Sequence, residues 1–301
     1  MPNYTRQAVL FLFALALAGL TISTACADTK WPSLMHYTLS LSTNEDARYQ
    51  ASLGFSGPIG ENLGAKVAGW WIGGAGDTRA FVGDAYIDYT RKPLYLAGGR
   101  KYVTFGPIGV LVSPGLFGGH LKIDLDRWDV QALAGTLQFT PGVGITRFSF
   151  SGARQPSDVS TAAVRVAGPL TGPEATVPVK LGLNWIRLKG DSGTSVDLQV
   201  EPNKRLTVFG EAATFDAHAS VYGIKWSDEK LRTDGKVWIV VIYHRDVEVG
   251  FVPATVGASA FFENQRGVAG GIYHQLDARH ALGLFADSHD AIVTWFTTVP
   301  L

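Results

Sequence analysis

Apolar and polar residues alternate with a period of two along most of this chain. In a first segment Met35, Tyr37, Leu39 and Leu41 share one face, and His36, Thr38, Ser40 and Ser42 the other. In a second, Tyr49, Ala51, Leu53 and Phe55 oppose Gln50, Ser52 and Ser56. Further along, Leu121, Ile123 and Leu125 oppose His120, Lys122, Asp124 and Asp126, while Val196, Leu198 and Val200 oppose Ser195, Asp197, Gln199 and Glu201. Successive side chains of a strand point to opposite faces, so each segment predicts a β-strand with one oily and one wet face. Clusters of Gly, Asp, Asn, Pro and Ser separate the segments, and stretches with a helical period are rare.

The pattern predicts strands at 34–43, 47–56, 63–73, 79–90, 93–104, 118–126, 127–138, 160–169, 177–189, 194–201, 205–215, 217–227, 236–246, 267–277, 281–289 and 292–300. That is sixteen, an even number, as a single-chain bacterial barrel with both termini on one side requires. Fourteen or eighteen stay open, because the segments 142–152 and 257–264 each have strand character. With sixteen, turns such as Arg91-Lys92-Pro93 and Asp277 to His280 fall at the periplasmic end. The long stretches 105–117, 139–159 and 247–266 then fall at the opposite end or fold inward.

Alternation alone also fits a soluble β-sandwich. Two features favour an all-β transmembrane antiparallel barrel. Aromatic residues gather near segment ends (Trp70, Trp71, Tyr86, Tyr89, Trp185, Trp226, Trp295, Phe296), as at the two girdles of a membrane barrel. The oily face is often small, as in Trp128, Val130, Ala132 and Ala134, which suits fluid lipid better than a packed core. The amino terminus supplies the address. Arg6, the apolar run Ala8 to Leu20 and a zone of small residues form an export signal, too short for the roughly 20 residues of a spanning helix. Ala25-Cys26-Ala27 fits an A-x-A site with cleavage before Asp28, giving a signal over 1–27 and one barrel domain over 28–301. A lipidated Cys26 is the alternative reading, against which Ser23 stands where a lipoprotein box has Leu. After Asp28 no apolar run approaches the length of a spanning helix.

Charged residues make up 17% of the chain and balance at 26 of each sign, so no overall field gathers nucleic acid. The wet faces carry Lys66, Asp84, Asp88, Lys122, Asp124, Asp126, Asp129, Gln131, Lys180, Asn184, Asp197, Gln199, Glu201 and Glu211, both signs interspersed. Inside a barrel of about sixteen strands such residues line an aqueous channel. Arg100 and Lys101 are consecutive, so one of them faces the lumen in either register. Asp84 and Asp88, with Tyr86 between them, stand opposite on the preceding strand. Such a set forms a transverse field across a narrow place, or an ordinary cross-strand ion pair.

At Asp84-Ala-Tyr86-Ile-Asp88-Tyr, Leu94-Tyr-Leu96-Ala-Gly-Gly99-Arg100-Lys101 and Phe105-Gly106-Pro, the sequence resembles the Gram-negative outer-membrane porins. Leu206-Thr-Val-Phe-Gly-Glu211 with Tyr222-Gly-Ile-Lys225-Trp is similar to porin strand pairs. The resemblance implies a water-filled barrel for small hydrophilic solutes or ions, without cofactor, in the outer membrane of a diderm bacterium. It also implies contact with outer-membrane lipid and the barrel assembly machinery, and leaves room for a homo-oligomer. The ending Val299-Pro300-Leu301 departs from the aromatic terminus usual in such barrels.

Catalytic and metal motifs are weak. Ser227-Asp-Glu-Lys230 spells S-x-x-K in a turn without companion motifs, and H-E-x-x-H, G-x-S-x-G and P-loop patterns do not occur. The rivals to a channel are a lipid hydrolase, for which Ser220 and His218 share one face, and a barrel that binds a partner through its loops. The segment Phe105 to Gly119 combines Gly106, Pro107, Gly109, Pro114, Gly115, Gly118 and Gly119, which argue against a regular strand, with Val110, Leu111, Val112, Leu116 and Phe117. It is too apolar for a free loop, and the expectation is that it folds into the lumen beside Arg100, Lys101, Asp84 and Asp88.

Overall fold

The computed structural model describes residues 33–42, 48–74, 77–107, 109–112, 115–137, 159–228, 236–248, 251, 265–277, 280–287 and 291–300. The export signal with Cys26, the two segments that left the strand count open, and most of the stretches 139–159 and 247–266 lie outside them. Sixteen strands occur among the described residues. They are β1 (Ser33–Ser42), β2 (Arg48–Pro58), β3 (Leu63–Gly74), β4 (Asp77–Arg91), β5 (Leu94–Tyr102), β6 (Gly115–Leu125), β7 (Trp128–Leu137) and β8 (Ser160–Pro169). Then follow β9 (Val179–Leu188), β10 (Asp191–Asn203), β11 (Leu206–Thr214), β12 (His218–Ser227), β13 (Trp238–Val247), β14 (Gln265–Gln275), β15 (His280–Ala286) and β16 (Ala291–Pro300).

Each strand pairs antiparallel with its sequence neighbours, and β1 pairs with β16 from Leu34↔Pro300 to Ser42↔Ile292, closing the barrel. Closure leaves no edge, so the backbone ladder needs no water to satisfy it. Up-and-down order puts β1's start, β16's end and the turn at 92–93 at one end of the barrel, called here the turn end. Tyr102, Leu137 and Val247, the ends of β5, β7 and β13, lie at the other, the loop end.

The two faces follow the alternation. On β10 Val196 and Leu198 are 43% and 41% exposed on the outer wall, while Asp197 between them is 1% exposed on the inner one. The outer wall also shows Ile87, Leu96, Leu183, Ile224, Ile242 and Leu284, all exposed. Trp128 and Trp238 sit toward the turn end and Trp185 toward the loop end.

One boundary expectation is corrected. Gly115 to Gly119 is strand, opening β6, and not part of the loop. Gly118 pairs with Gly99 and with Gly135. A Cβ on Gly118 would stand 2.6 Å from the Gly135 Cα, so glycine there permits close strand approach rather than breaking the strand. Phe117, 59% exposed, joins the outer wall; Leu116, 1% exposed, faces inward.

Candidate lumen constriction

The inner wall divides into a charged sector and a dry one. In the charged sector Lys66 of β3 stands across from Tyr86 of β4, and its Nζ lies 2.7 Å from Asp84 Oδ2. Lys101 of β5 donates to the Tyr95 hydroxyl, and its Nζ sits 4.4 Å from the Tyr95 ring centroid and 5.0 Å from that of Tyr86. Asp88 accepts from Thr90 Oγ1 at 3.5 Å. The Tyr95 ring meets His120 edge-on at 5.6 Å, and His120 Nε2 lies 3.4 Å from Gln131 Oε1. Toward the turn end, Lys122 pairs with Asp124 at 3.1 Å and Lys180 with Asp129 at 3.4 Å. These four residues help line a cavity of about 880 Å³ together with Gln131 and Gln199.

Of the residues expected from sequence, Asp84, Tyr86, Asp88, Lys101, Lys122 and Asp124 therefore share the inner register of β4 to β6. Arg100 does not. It stands opposite Ala85 and the outward Phe117, in the alternate set of β5 with Leu96, because neighbours along a strand cannot share a face.

The dry sector is built by the segment after β5. Phe105, Val110, Leu111 and Val112 are each 0% exposed. They pack with inward residues of six strands: Ala163, Ile186, Ala213, Val221, Tyr243 and Ala269. Phe105 N donates to Val112 O at 2.8 Å, drawing the segment into a tight lobe. The lobe does fold inward, but its seat is the wall of β10 and β11 rather than the side of Arg100, Lys101, Asp84 and Asp88. There Glu211 accepts from Val110 N at 3.1 Å, Leu111 N at 3.3 Å and Ser195 Oγ at 3.1 Å. Gly106, at φ +80°, passes so close that a Cβ would lie 2.8 Å from Glu211 Oε2.

Behind Glu211 a buried network runs back to β8. Asn184 Nδ2 donates to Ser195 Oγ at 2.8 Å and to Asp197 Oδ2 at 3.0 Å. Arg165 donates to Asn184 Oδ1 at 2.7 Å and holds Asp197 through both terminal nitrogens. Charge buried this deeply persists only when paired and fully hydrogen-bonded. The arrangement therefore fixes the lobe in position. Arg165 was missed in sequence, although a lone arginine within the apolar run Thr161 to Gly168 is the mark it leaves.

The outer-wall pair considered for hydrolysis also has a definite setting. Ser220 stands opposite Ala212 and Asp246, and His218 Nδ1 lies 3.1 Å from Thr214 Oγ1. Among the described residues no three of His, Cys, Asp and Glu converge as a metal site.

Comparison with solved structures decides the fold class. OprB of Pseudomonas putida, in its high-pH structure, superposes with a TM-score of 0.56 at 11% identity, over 92% of this chain and 96% of that one. Pseudomonas aeruginosa OccK3 (OpdO) gives 0.54 at 12% identity, over 91% and 96%. An Rh. blastica porin variant gives 0.53 at 7% identity, over 91% and 100%. The chain has the fold of an outer-membrane porin. No family model and no curated protein sequence matches it. Within this porin fold the inward lobe on its Glu211 seat covers one sector of the inner wall, and the mixed charges of β3 to β7 line another.

Proposed function

We propose that the chain is an outer-membrane channel through which small hydrophilic solutes or ions diffuse, exported by a signal cleaved before Asp28. The observation that carries this reading is the division of the lumen. An apolar lobe is seated on one sector while the facing sector keeps mixed charges around a turn-end cavity of about 880 Å³. A barrel serving only as an anchor has no use for a charged inner sector of this kind. Interspersed signs, with Lys66–Asp84, Lys122–Asp124 and Lys180–Asp129 paired side by side, fit a passage for polar solutes of either charge with mild ion selectivity. The partners of this reading are the surrounding lipid, the assembly machinery and further copies of the chain.

The test is single-channel recording in planar bilayers. The mature chain should give stepwise conductance, and replacing residues 107–112 with a short Gly-Ser turn should raise it, because the lobe occupies lumen. Absence of channels from folded, inserted protein would remove the diffusion reading. Channels whose conductance ignores the replacement would place the constriction elsewhere.

A further inference from the structure

Charge on the outer wall is distributed unevenly, and ladder register shows where it collects. On β12 to β14 the outward charges have partners: Arg266 Nη2 lies 3.0 Å from Asp246 Oδ1, and beyond β13 Glu248 accepts from His218 N at 2.9 Å. On β9 they do not. Its outward positions run Leu181, Leu183, Trp185 and Arg187 toward the loop end, an oily column whose last member is a cation. Lys189 follows in the hairpin to β10, and both cations are exposed. Among the described residues no hydrogen bond or ion pair engages either side chain. The outward neighbours on β8 and β10, Ser160, Ala162, Val164, Ser192, Thr194 and Val196, include no carboxylate. Asp191, which closes the hairpin, pairs with buried Leu188 and so belongs to the alternate set of β10.

The hairpin carries a second sign. Lys189 and Gly190 are its two central residues, both at positive φ, +55° and +109°. Such a turn favours Asn, Asp or Gly at its first central position, because longer side chains meet steric resistance in that conformation. The lysine found there has its ammonium at the rim of the barrel, and Lys189 N, donating to Ser160 O at 3.4 Å, ties the turn to β8. Arg187 and Lys189 are two residues apart, about 7 Å along the chain. Both can reach one phosphate group placed between Ser160 and Ser192, the serines that flank them.

Height selects where that phosphate comes from. Trp185 marks the aromatic level of the loop end, and Arg187 stands one pleat beyond it, about 5 Å further along the axis at a tilt of about 40°. An aromatic girdle sits at the boundary of the apolar band, so Arg187 and Lys189 reach headgroup level. In a bacterial outer-membrane barrel the end with long loops faces outside. The leaflet on that side is built of lipopolysaccharide, a glycolipid with phosphates on its sugar backbone and several acyl chains. Below the two cations the wall offers such chains exposed Leu183, Trp185 and Val164 beside small Ala162.

We propose that Arg187 and Lys189 bind one phosphate of a lipopolysaccharide molecule, with Ser160 and Ser192 meeting its adjoining sugar and its acyl chains lying along Ala162, Val164, Trp185 and Leu183. Two fixed cations do here what a divalent cation does between neighbouring lipids, so this lipid stays bound when divalent cations are removed. The proposal rests on the membrane-spanning reading of the barrel, and the test separates the two.

The mature chain is folded into phosphatidylcholine vesicles holding a minor share of diphosphorylated lipid A, extracted into detergent with EDTA, and its retained lipid counted by native mass spectrometry. Insertion is read independently from the gel shift between unheated and heated protein. Wild type should retain one lipid A, and in matched vesicles should retain the phosphate-free analogue about tenfold less, equivalent to about 1.4 kcal/mol. Phosphatidylglycerol should be retained no better than that analogue, and inorganic phosphate in the buffer should not displace lipid A. Arg187→Gln with Lys189→Gln should lose the lipid, while Arg187→Lys with Lys189→Arg should keep it. Lys204→Gln with Arg205→Gln, which removes the same two charges from an exposed turn at the turn end, should also keep it. Inserted wild type that retains no lipid A, retains the phosphate-free analogue or phosphatidylglycerol equally, or gives up lipid A to EDTA or inorganic phosphate overturns the proposal and leaves the channel reading intact. So does retention by the Arg187→Gln, Lys189→Gln pair, or equal loss in the turn-end pair. Failure of wild type to insert overturns both.

Discussion

Replacing Glu211 by alanine tests whether the lobe is held or merely resting in the lumen. The side chain receives two backbone N–H groups of the lobe and one serine hydroxyl. Its loss leaves the Val110 and Leu111 amides buried and unpaired, at about 1–3 kcal/mol each, hence roughly 2–6 kcal/mol against the seated state. The apolar side acts the other way. Phe105, Val110, Leu111 and Val112 are fully buried, and burying such side chains is worth about 1.5–3 kcal/mol apiece, so roughly 6–12 kcal/mol together.

The second sum exceeds the first, which fixes the expected phenotype. Glu211→Ala alone should not empty the lumen. It should leave the lobe seated most of the time while adding brief excursions to a larger conductance, seen as excess open-channel noise. Adding Phe105→Ala and Leu111→Ala removes about 5–10 kcal/mol more from the seat and should turn the excursions into a stable wider state. The sixteen-strand ladder is untouched by these changes, so the gel shift of the unheated barrel should persist as the control for folding. Noise and conductance equal to wild type in both variants, with the gel shift retained, would refute the seat.

Two further outcomes follow from register. Leu198→Arg should destabilise the barrel by roughly 2–4 kcal/mol if that exposed site lies near the bilayer midplane, while Gln199→Arg should leave stability unchanged and alter conductance; heat- or urea-midpoints on vesicles decide it. Lys101→Glu should move the reversal potential in a salt gradient toward cations, and Arg100→Glu should move it much less, because only Lys101 occupies the inner register of β5. Equal shifts from the two would mean that the Arg100 side chain reaches the lumen in spite of its register.

How much of this was legible in sequence depended on whether one face of a strand met lipid and the other water. β10 was transparent for that reason: Val196 and Leu198 against Asp197 and Gln199 give both the strand and its orientation. The sixteen-strand count came from the same contrast, repeated around the wall. Contrast fails where the inner face is covered. β8 reads Thr-Ala-Ala-Val-Arg-Val-Ala-Gly and β13 reads Trp-Ile-Val-Val-Ile-Tyr, apolar at successive positions. Their inward residues Ala163 and Tyr243 pack on the lobe while their neighbours Val164 and Ile242 face out. Loss of alternation thus marks the wall on which the lobe lands, a signal that the expectation of a lobe beside Arg100, Lys101, Asp84 and Asp88 did not use. The glycine row Gly99, Gly118, Gly135 was opaque for a different reason, since a glycine that lets strands close and a glycine that ends one look alike until the register is known.

The seat also explains why charge lies where it does on the inner wall. A lobe with four buried apolar side chains needs a partner surface of small and apolar residues, and from β8 to β14 the inner wall supplies it with Ala163, Ile186, Ala213, Val221 and Ala269. Its backbone amides, however, cannot be buried there without an acceptor. Glu211 meets that need with a carboxylate, which then requires its own support in a dry setting. Ser195 donates to it, Asn184 donates to Ser195 in turn, and Asp197 beside them is neutralised by Arg165. The buried polar chain thus follows from the decision to seat a loop by its backbone. Of the remaining charges, one pair, Arg245 of β13 with Asp287, is buried as well, while those of β3 to β7 and around the turn-end cavity stay where water reaches them. A substitution in the first group should therefore act on the position of the lobe, and one in the second on which ions pass beside it.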